Sequence, residues 1–225
     1  MPTTPKKRQS VKGARTRRLI KDAFIVLYGR LSWAEITLDE ILKATGLTVG
    51  AFYFHFSSKD ELIEEIAVET CKGYHTVIID EINWDCDFFE IAHQIIHHYY
   101  QSYIRNPVLS RLMYSVVFRR STAHAVWLES RKPLREKIEQ SIHGALSDHS
   151  AQTPVDVAFT SHLLLSSLED FLFAVFMSKG NTELSSLASG PDFFIRQQAI
   201  IWYRSALGKD PTHKLAGRTP NRKNA

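Results

Sequence analysis

Three histidines in one short stretch have spacing that suggests chemistry. His93 and His97 stand at i and i+4, with His98 beside the second. On a helix that pair shares a face, which suits zinc. The residue after His93 is not the Glu that a zinc protease helix needs, and no third ligand can be named. The histidines therefore read as structural or pocket residues, and no metal is expected. The chain shows no Gly-rich phosphate loop and no nucleophile elbow, so neither an enzyme nor a cofactor is expected. Cys71 and Cys86 form no CxxC pair, consistent with a reduced, cytoplasmic chain.

A second group, Tyr53, His55 and Lys59, carries donors suited to a polyanion. The charge distribution points the same way. The net charge of +4 divides into +7 over residues 1–18, +4 over residues 209–225 and −7 between them. Basic ends on an acidic body suit contact with a polyanion at one end of the molecule. Hydrophobic residues at 44% and charged residues at 23% are ordinary for a globular protein. The longest unbroken apolar run, Phe171 to Met177, is too short to cross a bilayer, and no membrane is expected.

The elements that must position these donors read as helices. Ile20, Ala23, Phe24, Leu27, Tyr28 and Leu31 follow helical spacing. Thr37 to Glu40 is a capping box opening a second helix, and Gly46 ends that helix in the left-handed conformation glycine adopts freely. Thr48 can cap a third helix at once, with Val49, Phe52, Tyr53 and Phe56 at i, i+3, i+4 and i+7. Two short helices joined by a tight Gly-containing turn are a helix-turn-helix, whose second helix can enter a DNA major groove. Ser58 to Glu61 is another capping box, for a fourth helix reaching about Glu81. Further helices come after it, with breaks near Asn106-Pro107, Ser150 to Pro154 and Gly180 to Pro191. The expected fold is all-α. A disordered basic arm spans residues 1–12 and a three-helix DNA-binding domain residues 13–60. A larger helical ligand-binding and dimerisation domain spans 61–208, and a disordered basic tail 209–225.

Residues 37–62, TLDEILKATGLTVGAFYFHFSSKDEL, resemble the DNA-binding domain of the TetR family, through Gly46, Thr48, Gly50, Tyr53, His55-Phe56 and Ser58-Lys59. Ala23 and Phe24 extend the resemblance back to about Arg15. It implies that Thr48, Val49, Gly50, Ala51, Tyr53 and His55 face DNA, and that Thr37 and Lys59 contact phosphates. Leu42 departs from the Ala usual at its position. Val49 and Ala51 carry no polar group for a base, though either could touch a thymine methyl.

The resemblance also implies a homodimer on double-stranded operator DNA, joined through the last two long helices. Phe159, Leu163 and Phe171 on one, and Phe194, Ile201 and Trp202 on the other, are the expected interface. Glu169 and Asp170 interrupt the first of these apolar helices, and Arg196 or Arg204 are candidate partners. Aromatics between residues 85 and 180 exceed what packing alone requires. A pocket is expected there for a small, mostly apolar effector of unknown identity, lined by His93, His97, Tyr100, Tyr114, Phe118 and Trp127. The expected function is a transcriptional regulator, a repressor that its effector releases from the operator. The alternative is a DNA-bound protein of the same fold that recruits a protein partner and senses no small molecule.

Overall fold

The computed structural model describes residues 11–117, 121–147, 156–177 and 190–211, with Glu183 and Ser186. Among these residues every regular element is a helix: α1 (Val11–Tyr28), α2 (Leu38–Thr45), α3 (Val49–His55), α4 (Lys59–Glu81), α5 (Phe88–Arg105), α6 (Pro107–Val117), α7 (Ser121–Ser147), α8 (Val157–Met177) and α9 (Pro191–Leu207). The all-α expectation holds. Nearly all of the expected N-terminal arm and C-terminal tail, and Phe118, lie outside the described residues.

Local sequence signals set the helix ends. The Thr37 hydroxyl accepts from the Glu40 amide at 3.3 Å, and the Thr48 hydroxyl from the Ala51 amide at 3.2 Å. Gly46 sits at φ +69° and donates its amide to the Leu42 carbonyl, closing α2. The capping boxes are not fully reciprocal. The Glu40 carboxylate takes Lys43 at 2.9 Å, while Glu61 accepts from the amide and hydroxyl of Ser57, both at 2.6 Å. The Ser58 hydroxyl caps α4 through the Glu61 amide.

The N-terminal core gathers Ile20, Phe24 and Tyr28 of α1, Ile36, Ile41 of α2, and Phe52 and Phe56 from α3 and its end. It does not close at residue 60. Leu62, Ile63 and Ile66 of α4 and Leu112 and Val116 of α6 complete it. The larger core joins α5, α8, α9, the end of α4 and the later turns of α7, around Ile95, Tyr99, Ile138, Leu168, Leu172 and Trp202. By length and composition α8 could cross a bilayer, because scattered serines do not offset its leucines and phenylalanines. Here Leu164, Leu165, Leu168 and Leu172 are instead buried in the subunit core.

Candidate nucleic-acid interface and internal cavity

Recognition helix α3 is anchored by one face and bare on the other. Phe52 and Phe56 are buried, while Tyr53 is 54% and Phe54 74% exposed. Thr48, Val49 and Gly50 are also exposed, Ala51 is half-buried, and Thr37 is exposed at the head of α2. No atom of the protein would meet a Cβ added to Gly50 within 4 Å, so packing in the subunit does not require glycine there. His55 is half-buried, and burial, then the Arg17 charge, lowers its pKa. Sequence reasoning missed Phe54, although three aromatics within one turn already meant that not all could point inward.

Two basic residues expected near DNA are engaged inside the protein. The Lys59 ammonium donates to the carbonyls of Trp33 at 3.0 Å and Ile36 at 2.6 Å, and lies 4.0 Å from the Trp33 ring centroid. Burial lowers its pKa. The ammonium thus faces inward, which corrects its expected phosphate role. Arg17, counted in the basic N-terminal run, forks onto Glu65, donates to the His55 carbonyl and stacks 4.1 Å over Phe56. Lys21 reaches the same Glu65 at 2.6 Å. Hydrogen bonding from Arg17, the largest cause, holds the Glu65 carboxyl down to about 2. This clamp fixes the end of α3 against α1 and α4.

In the C-terminal part, α4, α5, α6, α7 and α8 enclose a cavity of about 700 Å³. Tyr114 and Trp127 line it as expected. His93, His97 and Tyr100 do not. Tyr100 is buried against Phe176 and Phe194, with ring centroids 5.3 and 5.4 Å away. His97 is exposed and His93 half-buried away from the cavity. One residue further along the helix, His98 does line it, paired with Glu81 at 2.9 Å.

At the inner end of the cavity, sequence reasoning named the two acids and Tyr114 but not the groups that hold Glu169. Glu169 pairs with Arg131 at 2.8 Å, not with Arg196 or Arg204, and Tyr99 donates to it at 3.1 Å. Arg204 instead bonds Asp210. Burial pushes the Glu169 carboxyl up to about 7 against the pull of Arg131. Asp170 accepts from the Tyr114 hydroxyl at 2.9 Å. Behind Glu169 lies the fully buried His75, its Nε2 4.0 Å from the carboxylate and without a hydrogen-bond partner. Burial, then the Arg131 charge, lowers His75 to about 3.

The six expected dimer residues divide by face. Phe159 is 66%, Leu163 54% and Ile201 50% exposed. Phe171 is half-buried and stacks on Phe194 at 5.7 Å. Phe194 and Trp202 are buried in the subunit's own core, which corrects their assignment to an interface. They lie on the side of α9 that packs against α5, whereas Ile201, one residue before Trp202, points away.

Comparison with known proteins agrees with this architecture. Residues 27–66 match the family described as bacterial regulatory proteins, tetR family. The chain is 24% identical over 136 residues to the HTH-type regulator YvdT of Bacillus subtilis, covering 60% of this chain and 69% of that protein. It is 41% identical over 51 residues to the regulator AcrR of Shigella flexneri, covering 23% of this chain and 24% of AcrR. Among solved structures, a tetR-family regulatory protein from Rhodococcus RHA1 superposes with a TM-score of 0.66 at 15% identity, over 85% of this chain and 97% of that one. FadR from Bacillus subtilis, in complex with stearoyl-CoA, superposes with a TM-score of 0.60 at 13% identity, over 81% and 97%. With its helix-turn-helix, its matched segment and its all-helical C-terminal part, the chain is similar to transcriptional regulators of the TetR family and shares their fold.

Proposed function

We propose that this protein is a cytoplasmic repressor that binds a roughly palindromic operator as a homodimer and is released when a small, mostly apolar effector enters the cavity. The observation that carries this reading is the position of α6. One side of α6 lines the cavity with Leu109, Met113 and Tyr114, while Leu112 and Val116 sit in the DNA-binding core. Arg111 donates to the Tyr28 carbonyl, and the Tyr28 hydroxyl lies 3.0 Å from Ser115 Oγ. Helix α4 makes a second link: it starts directly after the recognition helix and later lines the cavity with Gly73, Tyr74 and Val77. A molecule that displaces the cavity wall therefore acts on the seat of α3 through two helices.

At the DNA, exposed Tyr53 and Phe54 supply a hydroxyl and apolar edges to the groove. Gly50 leaves room for a close backbone approach. The exposed Phe159, Leu163 and Ile201 supply the apolar surface that a second subunit covers. A recruiter that senses no small molecule needs no cavity of this size.

The test uses the full chain and its own upstream DNA. Operator affinity is measured with and without candidate effectors, among them stearoyl-CoA, the ligand of the FadR neighbour. By linkage, an effector that weakens DNA binding must itself bind less tightly, by the same factor, when operator is present. Ligand binding with equal affinity in both conditions would refute the switch.

A further inference from the structure

The inner end of the cavity is rich in acceptors, while its tyrosine protons are committed to the protein. The Ser102 hydroxyl donates to the Tyr99 carbonyl at 2.7 Å, so Tyr74 is the donor in its 2.6 Å bond to Ser102. Tyr99 donates to the Glu169 carboxylate, Tyr103 to the Glu169 carbonyl at 3.4 Å and Tyr114 to Asp170. Arg131 donates to Glu169 at 2.8 Å and to Ser166 at 3.2 Å. The Ser130 hydroxyl donates to the Trp127 carbonyl at 2.9 Å, so His75 must give its Nδ1 proton to Ser130 at 3.0 Å. That fixes the tautomer and leaves His75 Nε2 as a bare acceptor behind Glu169. Two carboxylates, Glu169 and Asp170, stand here against one guanidinium, Arg131; the cavity's other guanidinium, Arg105, stands with Glu81 and His98. Tyr74, Tyr103, Tyr114 and Trp127 form aromatic walls around them.

An anion would need donors that are already committed and would be repelled by the carboxylates. A cation with N–H groups finds acceptors, net negative charge and ring faces together. Resting on the effector reading above, we infer that the cavity takes flat aromatic compounds with a cationic, N–H-bearing head, seated against Glu169 and Asp170.

The pH dependence has a definite sign. Glu169 is faced by Tyr74 and His75 of α4, Tyr99 and Tyr103 of α5 and Arg131 of α7; Tyr114 of α6 bonds the adjacent Asp170, and His162 lies against Arg131. With its carboxyl near 7, Glu169 is partly protonated at neutral pH. A cation favours the ionised form, so its affinity rises as pH rises through that value, while an anion's affinity falls.

Rhodamine 6G, a flat cation with two N–H groups, and pyrene-1-sulfonate, a flat anion, are titrated into the full chain by fluorescence polarisation. The expected result is rhodamine binding at least about tenfold tighter than pyrene-1-sulfonate, and strengthening several-fold between about pH 6 and 8. Glu169→Gln weakens rhodamine by about tenfold and flattens the pH profile. Asp170→Asn, at the more exposed carboxylate, weakens rhodamine without weakening pyrene-1-sulfonate and stands if the first variant fails to fold. Tighter binding of the anion, rhodamine affinity falling with pH, or rhodamine binding unchanged in the folded variants overturns the inference. Rhodamine bound in this pattern with no change in operator affinity upholds the ligand class and removes the switch. Operator release by pyrene-1-sulfonate or laurate, with no rhodamine binding, does the reverse.

Discussion

The Tyr28 hydroxyl and Ser115 Oγ, 3.0 Å apart, join the last turn of the first helix to the helix that walls the cavity. Removing that hydroxyl as Tyr28→Phe keeps the ring in the DNA-binding core. Operator affinity without effector should stay within about twofold, while the factor by which effector weakens it falls by about fivefold, a loss of about 1 kcal/mol. Arg111→Ala should act in the same direction. Operator titrations with and without effector measure the ratio, and an unchanged ratio in both variants sinks the idea that α6 carries the signal.

Lys59 gives a test of a corrected role. Its ammonium holds the carbonyls of Trp33 and Ile36. Lys59→Met should lower the melting temperature but leave the slope of log affinity against log salt unchanged, because no phosphate contact is lost. A phosphate-contacting lysine would reduce that slope by about one. Tyr53→Ala and Phe54→Ala should do the opposite: stability held, operator affinity reduced by about tenfold or more.

The inward and outward faces of α8 and α9 predict two different defects. Leu163→Glu and Ile201→Glu place charges on exposed apolar positions and should give folded monomers by analytical ultracentrifugation. Trp202→Ala empties a fully buried site and should cost about 3–5 kcal/mol of subunit stability. Phe171→Glu, half-buried against Phe194, should disturb the subunit before it disturbs any dimer.

What the sequence made legible was local. Thr37, Gly46, Thr48 and Ser58 act on backbone groups within four residues, so type and spacing were enough to place the helix-turn-helix. The rest depended on partners far along the chain. Lys59 finds its carbonyls in the loop before α2, and Glu169 finds Arg131 one helix back. The buried carboxylate was legible and its partner was not, because periodicity gives a face and not the neighbour. On α5 and α9 the misses came from adjacent residues on different faces: His98 and not His97 at the cavity, Ile201 and not Trp202 outside.

The Arg17 clamp makes an acid-sensitive contribution. Glu65 is held at about 2, below the 4.5 of a free carboxyl, so its stabilisation is present above about pH 4.5 and is lost as pH falls toward 2. Glu65→Gln should be less stable than the wild type by about 1 kcal/mol at neutral pH, the partly exposed site limiting the effect. Thermal melts of the two proteins should converge as the pH falls to about 2. A constant gap down to that pH would show that the ion pair contributes nothing beyond packing.

Helix α6 also constrains how this gene can change. Leu112 and Val116 serve one core while Met113 and Tyr114 line the cavity, so a residue inserted or deleted early in α6 turns the later part of the helix by about 100°. An insertion would carry the core residues toward the cavity, and a deletion would carry the cavity wall toward the DNA-binding core. Substitutions can retune either side independently, but the length of this segment cannot drift. Viable changes in length should therefore collect in the connections on either side of the helix, and the segment from Pro107 to Val117 should keep a fixed count.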